Sequence, residues 1–139
     1  MATANVQITI RGDNYEGNIS RFEPGDVVSG SVQITPQEEI KCRGAAIRLQ
    51  WHTEGRGTRD QHIVAQTPIA IERFEPNQQL SWQFSFTLPR EPWSYAGHYI
   101  TIVWEIVFNV DVPFGMDVSG SQPFILAPES HNRGLAPRR

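Results

Sequence analysis

The sequence is poor in cysteine, the residue whose disulfides and metal sites stabilise many small domains. Cys42 is the single cysteine among 139 residues. One cysteine cannot form a disulfide within the chain. The histidines show no paired spacing that would complete a structural zinc site with that cysteine; they are His52, His62, His98 and His131. The sequence therefore implies no cofactor and no metal.

An excess of basic charge is also missing. The net charge is −3 and the isoelectric point is about 5.8, so the chain has no electrostatic footprint for nucleic acid or acidic lipid. No segment approaches the roughly 18 consecutive apolar residues that a membrane helix needs. The N-terminal residues 1–6 lack the basic and apolar regions of a secretory signal. We expect no nucleic-acid partner, no membrane span and a cytoplasmic location.

No window shows helical spacing of apolar residues over three turns, and the dominant period is two. The clearest example is 80–88, where every even residue is large and apolar and every odd residue is polar. This alternation is typical of a strand with one face in the core and one in water. A chain of this length and of 39% hydrophobic content suits one globular domain.

The same alternation predicts further strands at 6–10, 28–34, 45–52 and 100–110, with weaker ones around 61–72 and 117–126. Gly30 falls in the inward series of its strand, which indicates a bulge or the close approach of a neighbouring strand. Proline-containing turns separate the runs, at 23–26 and 75–77. Seven or more strands with such breaks predict an all-β sandwich or barrel.

Three segments in order resemble an arrestin-type domain. They are Tyr15 with Phe22-Glu23-Pro24-Gly25-Asp26-Val27-Val28-Ser29-Gly30-Ser31-Val32, then Ile40–Leu49, then Trp82–Pro89 followed by Pro92, Ser94, Gly97 and Ile100–Val110. The resemblance runs from about Val6 to Leu126 and includes bacterial relatives of the sporulation-control type. It implies an immunoglobulin-like antiparallel sandwich of two sheets over residues 1–127, with a flexible tail at 128–139, and a role in scaffolding, sorting or adaptor binding.

The sequence departs from that family in three respects. Family members usually carry two sandwiches in tandem, whereas this chain holds one. The paired lysines that sense phosphate in the first strand of receptor-binding arrestins are unmatched, because only Arg11 lies nearby. The chain has no Pro-Pro pair and hence no ligase-recruiting tail motif. We therefore do not carry over binding of phosphorylated receptors or recruitment of ubiquitin ligases.

The sequence gives only weak evidence for catalytic or metal-binding residues. Lys41 and Arg43 flank Cys42 and could lower its pKa, but a cysteine at a strand edge is the better interpretation, since no motif supplies a base. No Gly-x-Ser-x-Gly elbow is present. Loop carboxylates can collect calcium, but solvated turn residues are favoured for Asp13, Glu16, Asp26, Asp111 and Asp117. We expect no enzyme.

Aromatic residues give the best candidates for binding. Three tryptophans fall on the inward parity of their strands, which favours core packing over sugar stacking; they are Trp51, Trp82 and Trp104. Trp93 and Tyr95 lie instead in a loop between strands, either as an exposed hot spot or as a loop anchor. Arg56 and Arg59 lie in a polar, glycine-rich hairpin that is a contact loop or a solvated tip.

These observations predict a non-catalytic module for protein–protein interaction, of the adaptor or scaffold kind. The partners are other proteins, with a homodimer through an open strand edge as a further hypothesis. The expected binding surface combines such an edge with the loops at one end. The alternative is an accessory module that binds carbohydrate or calcium.

Overall fold

A computed structural model describes residues 4–12, 14–55, 59–97, 100–115 and 117–128. All regular secondary structure within these ranges is β-strand. The strands are β1 (Ala4–Arg11), β2 (Tyr15–Glu16), β3 (Ile19–Phe22), β4 (Val27–Pro36), β5 (Ile40–Lys41), β6 (Ala45–Gly55), β7 (Gln61–Ile69), β8 (Arg73–Phe74), β9 (Leu80–Thr87), β10 (Tyr95–Ala96), β11 (Ile100–Val110) and β12 (Val118–Leu126).

The strands form two main sheets. The smaller has the order β1-β4-β9, and the larger has the order β2-β3-β12-β11-β6-β7, with β10 also paired to β11. The pairing of β12 with β3 is parallel, and the other pairings are antiparallel. Strands β5 and β8 form a separate two-stranded ribbon. The expected all-β, two-sheet sandwich is confirmed.

The core lies between the two sheets and is rich in aromatic rings. The rings of Trp82 on β9 and Phe108 on β11 stack across the sandwich, with centroids 5.7 Å apart. Trp104 is fully buried, while Trp51 and Trp82 are partly buried and pack against the same core. Because these three indoles help to fill the interior, the prediction of core packing is confirmed.

Strand β4 runs between β1 and β9 and follows the predicted alternation. Val28, Val32 and Ile34 are completely buried. Gly30 belongs to the same inward series, and a Cβ placed there would lie 1.9 Å from the backbone oxygen of Thr9 on β1. The glycine therefore permits the close approach of a neighbouring strand that its position in the sequence indicated.

Hydrogen bonds to β3 fix the chain where β12 ends. The backbone N–H of Ala127 donates to the carbonyl of Phe22 at 3.0 Å. The guanidinium of Arg21 donates to the carbonyls of Ala127 and Pro128. Residues 129–139, most of the expected tail, lie outside the described residues. In the part of the chain that is described, no helix is long and apolar enough to cross a membrane.

Candidate functional site

The aromatic segment, defined as residues 90–97, connects β9 to β11. Its short strand β10 pairs Tyr95 with Ile102 and Ala96 with Thr101 of β11. Pro89, two residues after β9 ends, prevents the strand from continuing regularly, since proline lacks the N–H needed for a ladder hydrogen bond. The segment therefore turns away from the smaller sheet and docks on the larger one.

Hydrogen bonds fix the aromatic segment on both sides. The indole N–H of Trp104 donates to the carbonyl of Pro92 at 2.8 Å, and that of Trp93 donates to Arg90 at 2.9 Å. Ser94 and Leu126 exchange two bonds: the Ser94 N–H donates to the Leu126 carbonyl, and the Leu126 N–H donates to Ser94 Oγ. The segment is thus attached to both β11 and β12.

A shallow cleft of about 290 Å³ opens on this segment. It is lined by Glu91, Pro92, Trp93, Ser94 and Tyr95. Trp93 is 39% exposed to solvent and Tyr95 is 53% exposed. The indole of Trp93 is anchored by a hydrogen bond and still reaches solvent, and its role as a binding hot spot stays a prediction.

Gly97 determines where the Tyr95 ring lies. A Cβ at position 97 would be 2.3 Å from Cε2 of that ring and 2.8 Å from its hydroxyl oxygen. Only a residue without a side chain allows the tyrosine to fold back over the backbone here. The ring consequently forms one wall of the cleft, with its hydroxyl available for hydrogen bonding.

The register brings the second candidate segment, the β6–β7 hairpin, to the same end of the sheet. Ile102 on β11 pairs with Tyr95 on one side and with Thr53 of β6 on the other. Arg59 lies at the described end of this hairpin and is exposed, whereas Arg56 lies outside the described residues. Two of the four predicted site residues, Trp93 and Tyr95, thus line one cleft, and a third lies on the neighbouring hairpin.

A polar network that the sequence analysis missed lies on the outer face of the larger sheet. The imidazole Nδ1 of His52 lies 2.8 Å from Glu105 Oε2, and its Nε2 lies 2.8 Å from Glu54 Oε2. Gln50 Nε2 donates to the same Glu105 oxygen at 2.8 Å. Gln50, His52 and Glu105 are all less than a tenth exposed. Strand alternation assigned this face to solvent, with Val103 and Val107 indicating partial cover on β11, but no motif marked the polar network itself.

Both ring nitrogens of His52 face a carboxylate oxygen. A neutral imidazole carries one N–H, and so it can donate to only one of the two carboxylates. Only the imidazolium donates to both Glu54 and Glu105. The hydrogen bond from His52 is the main cause of a lowered pKa at Glu54, and the positive charges of His52 and Arg59 contribute further. The network joins β6 to β11 below the hairpin.

Cys42 does not have the environment of a nucleophile. Burial raises the pKa of its thiol, with smaller contributions from the negative charges of Asp111 and Glu72. The thiol donates to the carbonyl of Ile71 at 3.5 Å. Desolvation of the thiolate dominates this pKa, which agrees with the favoured interpretation of an unreactive cysteine and not with activation by the flanking basic residues.

The loop carboxylates have local structural partners. Asp26 accepts from the Glu23 N–H at 3.0 Å and Asp111 pairs with Arg43 at 3.1 Å. Asp117 accepts from Val112 and Asn109. Asp13 lies outside the described residues. Among the described residues, no group of three His, Cys, Asp or Glu side chains is arranged to hold a metal ion.

The fold defined by these sheets is an arrestin-like β-sandwich. Among solved structures, the chain is similar to the sporulation control protein Spo0M from Bacillus subtilis, with a TM-score of 0.69 and 17% sequence identity. The alignment covers 93% of this chain and 51% of that one, so this chain spans about half its length. Scans against protein families and against curated proteins found no match. The likeness establishes the fold alone.

Proposed function

We propose that this chain is a non-catalytic, cytoplasmic interaction module that binds other proteins as an adaptor or scaffold. The observation that carries the proposal is the aromatic cleft, where Trp93 and Tyr95 are exposed on a segment already fixed by hydrogen bonds. Residues 1–127 form the binding module in this proposal, and 128–139 form a flexible tail.

Preformed aromatic surfaces suit protein recognition for two physical reasons. Tryptophan and tyrosine bury large areas and dominate many interface hot spots. A segment that is already ordered loses little conformational entropy on binding, so more of the contact energy remains as affinity. The cleft therefore supports binding of an apolar side chain from a partner, flanked by groups that accept or donate hydrogen bonds.

The carbohydrate alternative has less support. Stacking on sugars needs exposed indole faces, whereas Trp104 is fully buried and both Trp51 and Trp82 pack on the core. Only Trp93 among the four tryptophans lies in an exposed loop segment. A cleft walled by one indole, one phenol and one proline fits an apolar protein side chain better than a row of sugar rings.

A homodimer through a strand edge is a second mode of contact. Strand β7 ends the described order of the larger sheet, and its Ile63 and Val64 are 47% and 43% exposed. Its ladder with β6 is interrupted by a register shift between Leu49 and Gln50, and β7 contains Pro68. Both features weaken pairing with another strand, so we place the main contact at the cleft.

The test is affinity capture from a lysate of the native host, using the full chain and two variants. Trp93→Ala combined with Tyr95→Ala removes both aromatic walls. Ile63→Ala is the matched control, because it truncates an exposed apolar side chain on β7. We expect a discrete protein that the wild type and the control capture and the double variant loses. Equal capture by all three chains would show that the cleft is not the binding surface.

A further inference from the structure

The turn between β11 and β12 carries an exposed aromatic side chain on a left-handed backbone. Phe114 is fully exposed, and its backbone φ is +59°. A single exposed apolar residue is ordinary on a protein surface. A bulky residue in the left-handed region is uncommon, because its Cβ crowds the following carbonyl. Glycine or asparagine would adopt the same φ with less steric cost.

The base of this turn is fixed, so the ring is displayed from an ordered support. Asp117 Oδ1 accepts from the backbone N–H of Val112 at 3.1 Å, and its Oδ2 accepts from Asn109 Nδ2 at 3.1 Å. These two bonds tie the start and the end of the turn together. The chain is therefore held at Val112, two residues before Phe114.

The turn and the aromatic cleft lie at opposite ends of β11. The cleft segment pairs at Ile102, and the turn follows Val110. Ile102 and Val110 are eight residues apart on the extended strand, which corresponds to roughly 26 Å. The phenylalanine of one molecule consequently cannot enter the cleft of that same molecule.

We propose that Phe114 of one copy inserts into the cleft between Trp93 and Tyr95 of the next copy, so that the protein associates head to tail. This inference rests on the proposed function, because it names an occupant for the same cleft. The cleft volume of about 290 Å³ and its aromatic walls fit one phenyl ring. An interface that joins two different surfaces does not close on itself as a two-fold dimer does.

The charges near both surfaces favour an apolar contact. Beside the turn, Asp111 is paired with Arg43 at 3.1 Å. Beside the cleft, Glu91 follows Arg90 in the sequence. The cleft itself is lined by one charged residue, Glu91, so the association should change little with salt, unlike a contact between opposite charges.

Sedimentation velocity on the purified full chain tests the proposal. The wild type should form dimers and longer species as its concentration rises through the micromolar range. Phe114→Asn and Trp93→Ala/Tyr95→Ala should each sediment as monomers. An equimolar mixture of the two variants should form dimers and nothing longer. In the mixture the double variant supplies Phe114 and the Phe114→Asn variant supplies the intact cleft. Asparagine tolerates left-handed backbone, so the first variant should unfold at no lower denaturant concentration than the wild type.

Other results would overturn the proposal. They are a wild type that stays monomeric, a closed dimer that does not grow, and association that Phe114→Asn leaves intact. Binding of Phe114 to lipid vesicles without self-association would also overturn it. A lysate partner captured by Phe114→Asn and lost in the cleft variant, together with a monomeric wild type, would overturn the head-to-tail contact and leave the proposed function standing.

Discussion

His52 Nδ1 lies 2.8 Å from Glu105 Oε2, and both residues are buried on the outer face of the larger sheet. A second carboxylate, that of Glu54, lies at the other ring nitrogen. Buried charges are stable only when they are paired and hydrogen-bonded. The stability of this end of the sheet should therefore depend on the buried pair, His52 and Glu105, more than on the exposed Glu54.

His52→Ala should lower the free energy of unfolding by about 1–3 kcal/mol, because it removes a donor from a buried carboxylate. Urea unfolding followed by tryptophan fluorescence measures the loss. Glu54→Gln is the comparison, since Glu54 is 57% exposed and its removal should cost less. Equal losses for the two variants would argue that burial of Glu105 does not matter.

Asp117 should contribute to acid stability. Its pKa is lowered, first by the hydrogen bond from the Val112 N–H and second by the one from Asn109. Folding therefore favours the carboxylate, and this stabilisation is present above about pH 4 and lost as the pH falls through the lowered folded value. Melting temperatures from pH 7 to pH 3 should fall less steeply for Asp117→Asn than for the wild type. Parallel curves would show that Asp117 makes no such contribution.

Gly30→Ala should be strongly destabilising, since its Cβ would lie 1.9 Å from Thr9 O and 2.9 Å from Phe84 Cζ. The backbone oxygen cannot move without breaking the pairing of β1 with β4. Overpacking of this kind costs about 1–3 kcal/mol or more. Gly12→Ala is the control, because its nearest neighbour is the Phe22 ring at 3.4 Å. Urea unfolding of both variants should separate them clearly.

Gly97→Ala should disturb binding more than folding. The added methyl group would displace the Tyr95 ring, whose exposed end can swing into solvent at little cost. We expect capture of a cleft partner to fall as far as in Tyr95→Ala, with a melting temperature close to that of the wild type. Normal capture by Gly97→Ala would mean that the position of the ring is not required.

Cys42 should react slowly in the folded protein. Burial raises its pKa and so reduces the thiolate that alkylating reagents attack. Iodoacetamide labelling followed by mass spectrometry should be slow in buffer at pH 7.5 and complete in urea, and Cys42→Ser should retain partner capture. Rapid labelling of the native protein would indicate an accessible thiol.

The strands with clear alternation were the most predictable elements. In β4 and β9 the even residues point inward, since each strand has one face on the core. The exposure of Trp93 and Tyr95 was predictable because prolines interrupt the apolar alternation around them, while their role in binding stays a prediction. The network at His52 was not predictable, because burial of the outer face depends on which strands lie side by side. The Phe114 turn was also missed, since nothing in its local pattern indicates a left-handed backbone.

The sequence by itself determined the fold class, because period-two alternation and proline-containing turns act over a few residues and suffice to specify strands. It also determined which tryptophans face the core, since parity follows from the pleat of each strand. Only the tertiary structure decided which side chains meet. The pairing of β11 with β6 and β10 places Thr53 and Tyr95 on either side of Ile102, and Glu105 beside Gln50. Such neighbours are distant along the chain, so local sequence patterns do not predict them.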